Sequence, residues 1–362
     1  MAMFPVNAER AYQSPSIPVT FVGRSRRIWL PALLTVLLGC EPSTNPWETT
    51  GQAMGTTYSV VVVAPDSSAA ASLPDDIRET IMAIENRYST YMPDSEVSRF
   101  NAEPHTDWSP VSGELCAAFE KAIALSRLTE GSFDITVAPL VDAWGFGPGE
   151  DVVAPLPQTS VDALMGRVGF DKLDVDCDRP AIRKRNPSTE VDFSAWAKGH
   201  AIDRLAERLN AQGIENYLVE IGGEIRAGGL NPSGKPWSIA IADPRSPGTP
   251  LPMRVSLTQA AMATSGDYAN YFTADGNRYS HIIDPRTGSP TGHALTAVTV
   301  VADLAASADA LATALLVLGP EKGYEFAARK GIAASFLVRD GEELQHRSTE
   351  PFAPYLESGQ PN

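Results

Sequence analysis

Leu295-Thr296-Ala297-Val298-Thr299-Val300-Val301 is followed, after a short break, by Ser307-Ala308-Asp309-Ala310-Leu311-Ala312-Thr313-Ala314-Leu315-Leu316-Val317-Leu318 and then Gly319-Pro320. The first run is short and rich in β-branched residues, which predicts a strand. The second opens on a serine, is dominated by Ala and Leu, and closes on Gly-Pro, which predicts a helix capped by Ser307 and stopped after Leu318. Working outward, residues 56–63, 217–221 and 237–241 read as further strands and 170–185 as a hairpin. Residues 75–91, 112–129 and 195–212 read as helices: Ile77, Ile81, Ile84 and Tyr88 recur at helical spacing, and Gly131 and Gly213 stand just past two of the ends. No internal repeat is evident. Strands and helices do not alternate as regular βαβ units, so the expectation is an α+β class: one large domain of mixed sheets with flanking helices.

At 362 residues the chain has room for one large domain or two average ones, and its 43% hydrophobic and 20% charged residues are those of a globular protein. The net charge is −15 with no basic cluster beyond the N-terminus, which argues against a nucleic-acid partner. Near the N-terminus Arg24, Arg26 and Arg27 precede the apolar residues 28–38 and then Gly39-Cys40, the parts of an export signal. The apolar run is too short for a comfortable membrane-spanning helix, which needs about 20 such residues. Leu37-Leu38-Gly39-Cys40 also resembles the bacterial lipobox. Residues 1–39 are therefore expected to be a lipoprotein signal peptide, Cys40 the lipidated residue, and residues 40–50 a tether. That reading puts the protein on the periplasmic side of a bacterial membrane, held through a lipid anchor. Cleavage before Cys40 removes Glu9, Arg10, Arg24, Arg26 and Arg27, a net +3, and leaves a mature charge of −18. The long stretch ahead of the arginines leaves open a start downstream of Met1. Cys116 and Cys177 lack a Cys-x-x-Cys partner; export would allow a disulfide, and the preferred reading is two small hydrophobes. Residues 51–347 are expected to form the domain and 348–362 a loose tail.

Several segments concentrate residues that carry chemistry. Tyr279-Ser280-His281-Ile282-Ile283-Asp284-Pro285-Arg286-Thr287-Gly288 lies downstream of Ala263-Thr264-Ser265-Gly266-Asp267-Tyr268. A lone histidine is more often structural than catalytic, but the density of partners around His281 argues for an acid–base role. A Ser-His-Asp hydrolase would use such residues, yet no Gly-x-Ser-x-Gly elbow is present. Asp192-Phe193-Ser194-Ala195-Trp196-Ala197-Lys198-Gly199-His200 places an acid, a serine and a lysine at a helix start, where free N–H groups favour anions. Taken alone, a capped helix with a surface lysine accounts for it equally well. Asp309 and Thr313 are four residues apart and share a helix face, an oxygen-only set suited to Mg²⁺. A helix-cap Asp beside a satisfied Thr is the plainer reading of that segment alone. Glu220-Ile221-Gly222-Gly223-Glu224 and Arg226-Ala227-Gly228-Gly229 mark a turn or a close ligand approach, without a dinucleotide fingerprint.

In order along the chain, Met54-Gly55-Thr56-Thr57-Tyr58, Tyr91-Met92-Pro93-Asp94-Ser95-Glu96-Val97-Ser98-Arg99-Phe100-Asn101, Gly131-Ser132-Phe133-Asp134-Ile135-Thr136, Trp144-Gly145-Phe146-Gly147, residues 192–199, residues 220–224, residues 263–268, residues 281–288 and Ala308-Asp309-Ala310-Leu311-Ala312-Thr313 resemble the motifs of the FAD:protein FMN transferase family, the ApbE-like periplasmic lipoproteins. The resemblance spans residues 54–337 and implies an ApbE-like, T-fold-related domain. It implies cleavage of the FAD pyrophosphate with Mg²⁺ and transfer of FMN to a Thr or Ser hydroxyl of an acceptor protein in a redox complex, with release of AMP. It further implies that Met54, Tyr91, Ser132, Phe133, Asp134, Asp192, Lys198 and Ile283 line the FAD site. Asp309, Thr313 and the Ala195 carbonyl would hold Mg²⁺, and His281 would be the catalytic base toward the acceptor hydroxyl. Ser265 then becomes a site-shaping residue. Some members carry an acid where this chain has Ala312, and Trp196 and His200 replace residues usually aliphatic and aromatic, which is expected to alter the wall near the phosphates. A metal-dependent FAD pyrophosphatase and a non-enzymatic FAD-binding lipoprotein are the alternatives.

Overall fold

The computed structural model describes residues 10–12, 46–63, 67–149, 154–246, 248–268 and 270–357. Eight strands form its main sheet: β1 (Trp47–Ala53), β2 (Thr56–Val62), β3 (Tyr217–Ile221), β4 (Glu224–Gly228), β5 (Ala260–Gly266), β6 (Leu295–Ala302), β7 (Ala333–Asp340) and β8 (Glu343–Ser348). They lie side by side in their order along the chain. All of these neighbours pair antiparallel. The α+β class itself holds.

Alternation along the strands assigns the two faces. Val60, Val62, Val219 and Ile221 turn to one face, beneath α1 (Ser67–Tyr88), α2 (Gly113–Leu128) and α3 (Ser194–Ala211). Val298, Val300, Ala334 and Phe336 continue that layer beneath α4 (Ala305–Leu318) and α5 (Pro320–Lys330). Val61, Leu218, Ile225, Met262 and Val301 turn to the other face, covered by the Trp237–Ala242 and Pro250–Leu257 hairpin. Phe352 is fully buried against this second layer within the 3₁₀ segment Glu350–Tyr355, and Leu356 bridges to Val255. The expected loose tail is thus packed as far as residue 356, because the sheet's second face needs its apolar cover. Likewise β1 takes residues 47–50 from the expected tether into the sheet edge.

Four further expectations need comment. Cys116 and Cys177 are joined in a disulfide, their Cα atoms 5.7 Å apart, rather than standing as separate hydrophobes. Packing of the Leu173–Asp176 strand against the α2 layer brings them together, and local sequence carries no sign of that. The first long helix begins at Ser67, ahead of the predicted start, and holds Pro74 inside. Arg10–Tyr12, assigned above to a leader outside the fold, pairs antiparallel with Asn270–Ala274 in the uncleaved chain. Cys40 and the apolar run before it lie outside the described residues, among which no helix is long and apolar enough to cross a membrane.

Two features position the site. Between β5 and β6 the chain leaves the sheet for a hairpin, Asn270–Ala274 with Asn277–Ser280, and a smaller pair, Ile283–Asp284 with Ser289–Pro290. This excursion rests on its own apolar cluster of Leu140, Trp144, Phe146, Phe272 and Ile283. Opposite it, α3 and α4 approach closely. A Cβ on Gly199 would stand 2.3 Å from the Ala305 carbonyl oxygen, so only glycine fits. Asp203 of α3 then caps α4, accepting from Ala305 N–H at 2.9 Å and Ala306 N–H at 3.0 Å, with Arg226 paired to it at 2.6 Å.

Candidate active site

The centre of the site is a buried charge cluster. The Lys198 ammonium lies 3.5 Å from Glu224 Oε1 and 3.7 Å from Asp309 Oδ2, and donates to the Ser194 carbonyl at 3.3 Å. Glu224 and Asp309 keep only 5% and 2% exposure. Burial pushes the Glu224 and Asp309 carboxyls up, against the opposing pull of Lys198. Burial disfavours the charged form of Lys198, but Asp309 and Glu224 outweigh it and hold the ammonium protonated. Glu224 was not among the site residues read from sequence. Its one available signal was the paired glycine ahead of it: Gly222, at φ 63°, turns β3 into β4 and leaves room for the Lys198 stem.

Asp309 and Thr313 do share the inner face of α4, as their spacing required. Gly199 N–H donates to Asp309 Oδ2 at 3.3 Å, and Thr313 Oγ1 hydrogen-bonds Ser265 Oγ at 2.9 Å. Ser265 therefore orients the Thr313 hydroxyl. Ala195 sits in α3 with non-helical torsions, φ −84° and ψ 16°, which turns its carbonyl out of the regular ladder. A carboxylate, a hydroxyl and a released carbonyl form an oxygen donor set that suits Mg²⁺. Glu224 Oε2 is buried without a hydrogen-bond partner among the described residues. Among the described residues no group of three or more His, Cys, Asp and Glu side chains is placed to hold a metal ion.

His281 stands at the end of the projecting hairpin. Its Nδ1 is 2.9 Å from the Asn270 carbonyl, whose oxygen also accepts from His281 N–H at 3.0 Å. A carbonyl only accepts, so Nδ1 carries the proton and Nε2 is left with its lone pair. Burial lowers the imidazole to about 4, so the ring is neutral at pH 7. Phe146 packs against the ring at 6.3 Å between centroids, and the Phe146 carbonyl accepts from the Tyr91 hydroxyl at 3.3 Å. Trp144 Nε1 donates to the Gly288 carbonyl at 2.9 Å, tying the two loops together.

The remaining predicted residues divide. Tyr91 is 64% exposed, an aromatic face open to a ligand. Met54 adopts φ 53° at the β1–β2 turn, its N–H held by Glu85 at 2.7 Å, next to the Gly222 turn through the Gly222 N–H to Thr57 carbonyl bond. Asp192 accepts from Ser194 N–H and Oγ, starting α3, while its own N–H reaches the Ile135 carbonyl. By contrast, the Ser132, Phe133, Asp134 and Ile283 side chains are turned inward. Ser132 Oγ donates to the Thr129 carbonyl, and Asp134 accepts from Thr136 and from Phe170 N–H. Phe133 and Ile283 lie in apolar clusters. These four can offer a ligand chiefly their main chain. Trp196 and His200, expected at the phosphate wall, lie two residues either side of Lys198 and point the opposite way. They stack at 4.4 Å and line a 450 Å³ cavity under α1 and α2. Of the cations lining it, Arg87 is paired with Glu114, Arg204 with Glu207 and Arg208 with Asp76.

Comparison with known proteins matches the same segments. The model of the ApbE family covers residues 54–336. The chain belongs to the ApbE family. A protein named FAD:protein FMN transferase from Vibrio cholerae serotype O1 is 39% identical over 334 residues, covering 91% of this chain and 99% of the relative. The Escherichia coli K12 protein of the same name is 34% identical over 342 residues, covering 92% and 97%. Among solved structures, the flavin transferase ApbE from Vibrio cholerae superposes with a TM-score of 0.79 at 36% identity, over 86% of this chain and 99% of that one. The apo flavinyl transferase ApbE of Pseudomonas stutzeri gives 0.79 at 39% identity, over 86% and 97%. This ApbE-family enzyme thus has the fold its motifs implied.

Proposed function

We propose that the enzyme cleaves the pyrophosphate of FAD and attaches FMN through its phosphate to a Thr or Ser hydroxyl of an acceptor protein, releasing AMP. The acceptor belongs to a redox complex on the periplasmic side of a bacterial membrane, where Cys40 anchors the enzyme by lipid. Extensive similarity to proteins named FAD:protein FMN transferase supports this chemistry. The observation that carries the mechanism is His281, a neutral imidazole whose Nδ1–H is fixed on the Asn270 carbonyl, leaving Nε2 to accept a proton. The acceptor hydroxyl passes its proton to Nε2 as its oxygen bonds to the FMN-side phosphorus. The bond from that phosphorus to the bridging oxygen breaks, and AMP leaves with the oxygen and its electron pair.

Phosphoryl transfer depends on positioning and charge neutralisation more than on a covalent intermediate. Lys198 supplies a fixed positive charge beside the phosphates. Asp309, Thr313 and the Ala195 carbonyl would hold Mg²⁺, which when bound neutralises charge developing on the phosphate oxygens. Tyr91 offers a stacking face, and Met54 a soft apolar contact. The neutral state of His281 matters because a protonated ring could not take the proton. Incubation with FAD and Mg²⁺, with and without a flavin-acceptor protein, tests the reading. AMP formation that depends on the acceptor supports it, and AMP formed equally fast without acceptor would indicate a hydrolase.

A further inference from the structure

We propose that Lys198 is the site's built-in counter-ion, shared between Asp309 and Glu224, and that Glu224 is the positioning residue that retains it when Asp309 turns to a divalent cation. The inference rests on reading Asp309 as a cation ligand. Its structural basis is the placement of one ammonium between two buried carboxylates that belong to different elements, Glu224 on β4 and Asp309 on α4.

One ammonium faces two carboxyl groups in a poorly solvated place, so a further cation drawn to Asp309 finds the ammonium already there as its competitor. A cation arriving at Asp309 repels the ammonium, and the ammonium needs another acceptor to stay. Glu224 provides it: Oε1 already faces Nζ, and Oε2 is buried with no hydrogen-bond partner among the described residues. The stem passes over Gly222, where a Cβ would make van der Waals contact with Lys198 Cδ at 3.4 Å. The lysine head is the solvent-reaching member of the trio, at 26% side-chain exposure against 6% for Glu224 and 3% for Asp309. Retained by Glu224, Lys198 faces the position where phosphate oxygens enter. Without Glu224, Asp309 is the one carboxylate within ion-pair distance of the ammonium among the described residues, and the ammonium competes there with the cation.

The competition is measurable on ligand-free protein with Mn²⁺ as a paramagnetic probe, following the free ion by electron paramagnetic resonance. Wild type, E224Q, K198M and the double variant are compared. E224Q should weaken Mn²⁺ about tenfold, a change of about 1.4 kcal/mol. K198M should tighten it, because the competitor is gone. In the K198M background E224Q should change nothing beyond about twofold, since there is no ammonium left for Glu224 to retain. Equal weakening by E224Q in both backgrounds would make Glu224 a direct ligand and overturn the proposal, as would an E224Q protein with wild-type affinity. Should E224Q not fold, K198M decides alone: equal or weaker Mn²⁺ binding refutes the competition. Absence of Mn²⁺ binding to both wild type and K198M would instead remove the metal reading of Asp309.

Discussion

Gly199→Ala sets helix propensity against close packing, and the structure says which wins. Ala is favoured over Gly inside a helix by about 1 kcal/mol, so on α3 alone the substitution stabilises. Its Cβ, however, would meet the Ala305 carbonyl oxygen at 2.3 Å, the carbonyl carbon at 2.4 Å and Ala306 N at 2.5 Å. These are main-chain atoms of α4 pinned by Asp203, not a side chain that can rotate away. Overpacking of this kind costs about 1–3 kcal/mol and forces α4 back by roughly 1 Å. The net expectation is a destabilisation of about 1 kcal/mol, read by urea unfolding against wild type. The functional effect should exceed that, because Asp309 and Thr313 ride on the displaced helix. A misplacement of roughly 1 Å can cost about a hundredfold in rate. Acceptor-dependent AMP release with excess FAD, together with its Mg²⁺ titration, measures it. A variant more stable than wild type with unchanged turnover would show that the α3–α4 approach does not position the site.

Three further outcomes are expected. His281→Ala should keep FAD binding and lose transfer, and wild-type kcat/KM should stay flat from neutral pH to about 5, falling only as the pH drops through the histidine's value of about 4. The sign follows from a base that works unprotonated; a decline centred near the ordinary 6.5 would contradict the burial argument. Asp309→Ala should need at least about tenfold more Mg²⁺ for half-maximal rate, and an unchanged titration would exclude Asp309 as a ligand. Cys116→Ala should lose about 4 kcal/mol of unfolding free energy, from a loop closed across a separation of 61 residues, with oxidised wild type as the reference. Equal stability of variant and oxidised wild type would refute the bridge.

Sequence patterns carried much of the frame. The 295–301 strand and the helix holding Asp309 and Thr313 were legible because period is a local property, and helical spacing alone put those two residues on one face, although the helix begins at Ala305 under an Asp203 cap rather than at Ser307. The family motifs then supplied roles that residue types left open. What stayed hidden depends on contacts across the fold. Glu224 meets Lys198 only because β3 turns sharply at Gly222 and α3 packs over that turn. Asp203 looks like one more acid on an amphipathic helix until α4 starts above it. Ser132 and Asp134 lie within a matched motif, yet their side chains build the loop rather than face outward. Trp196 and His200 adjoin Lys198 in sequence and oppose it in space, which a linear motif does not express. Phe352 belongs to a polar, Pro-containing tail, yet together with Tyr355 and Leu356 it covers the sheet.

The central claim is that the bond broken in FAD becomes a bond to protein. Intact-mass measurement of an acceptor protein after incubation with enzyme, FAD and Mg²⁺ tests it most directly, with released AMP quantified in the same tube. The account predicts one covalent FMN per acceptor, localised to a single Thr or Ser, with one AMP formed for each. An unmodified acceptor beside accumulating AMP and free FMN would contradict it.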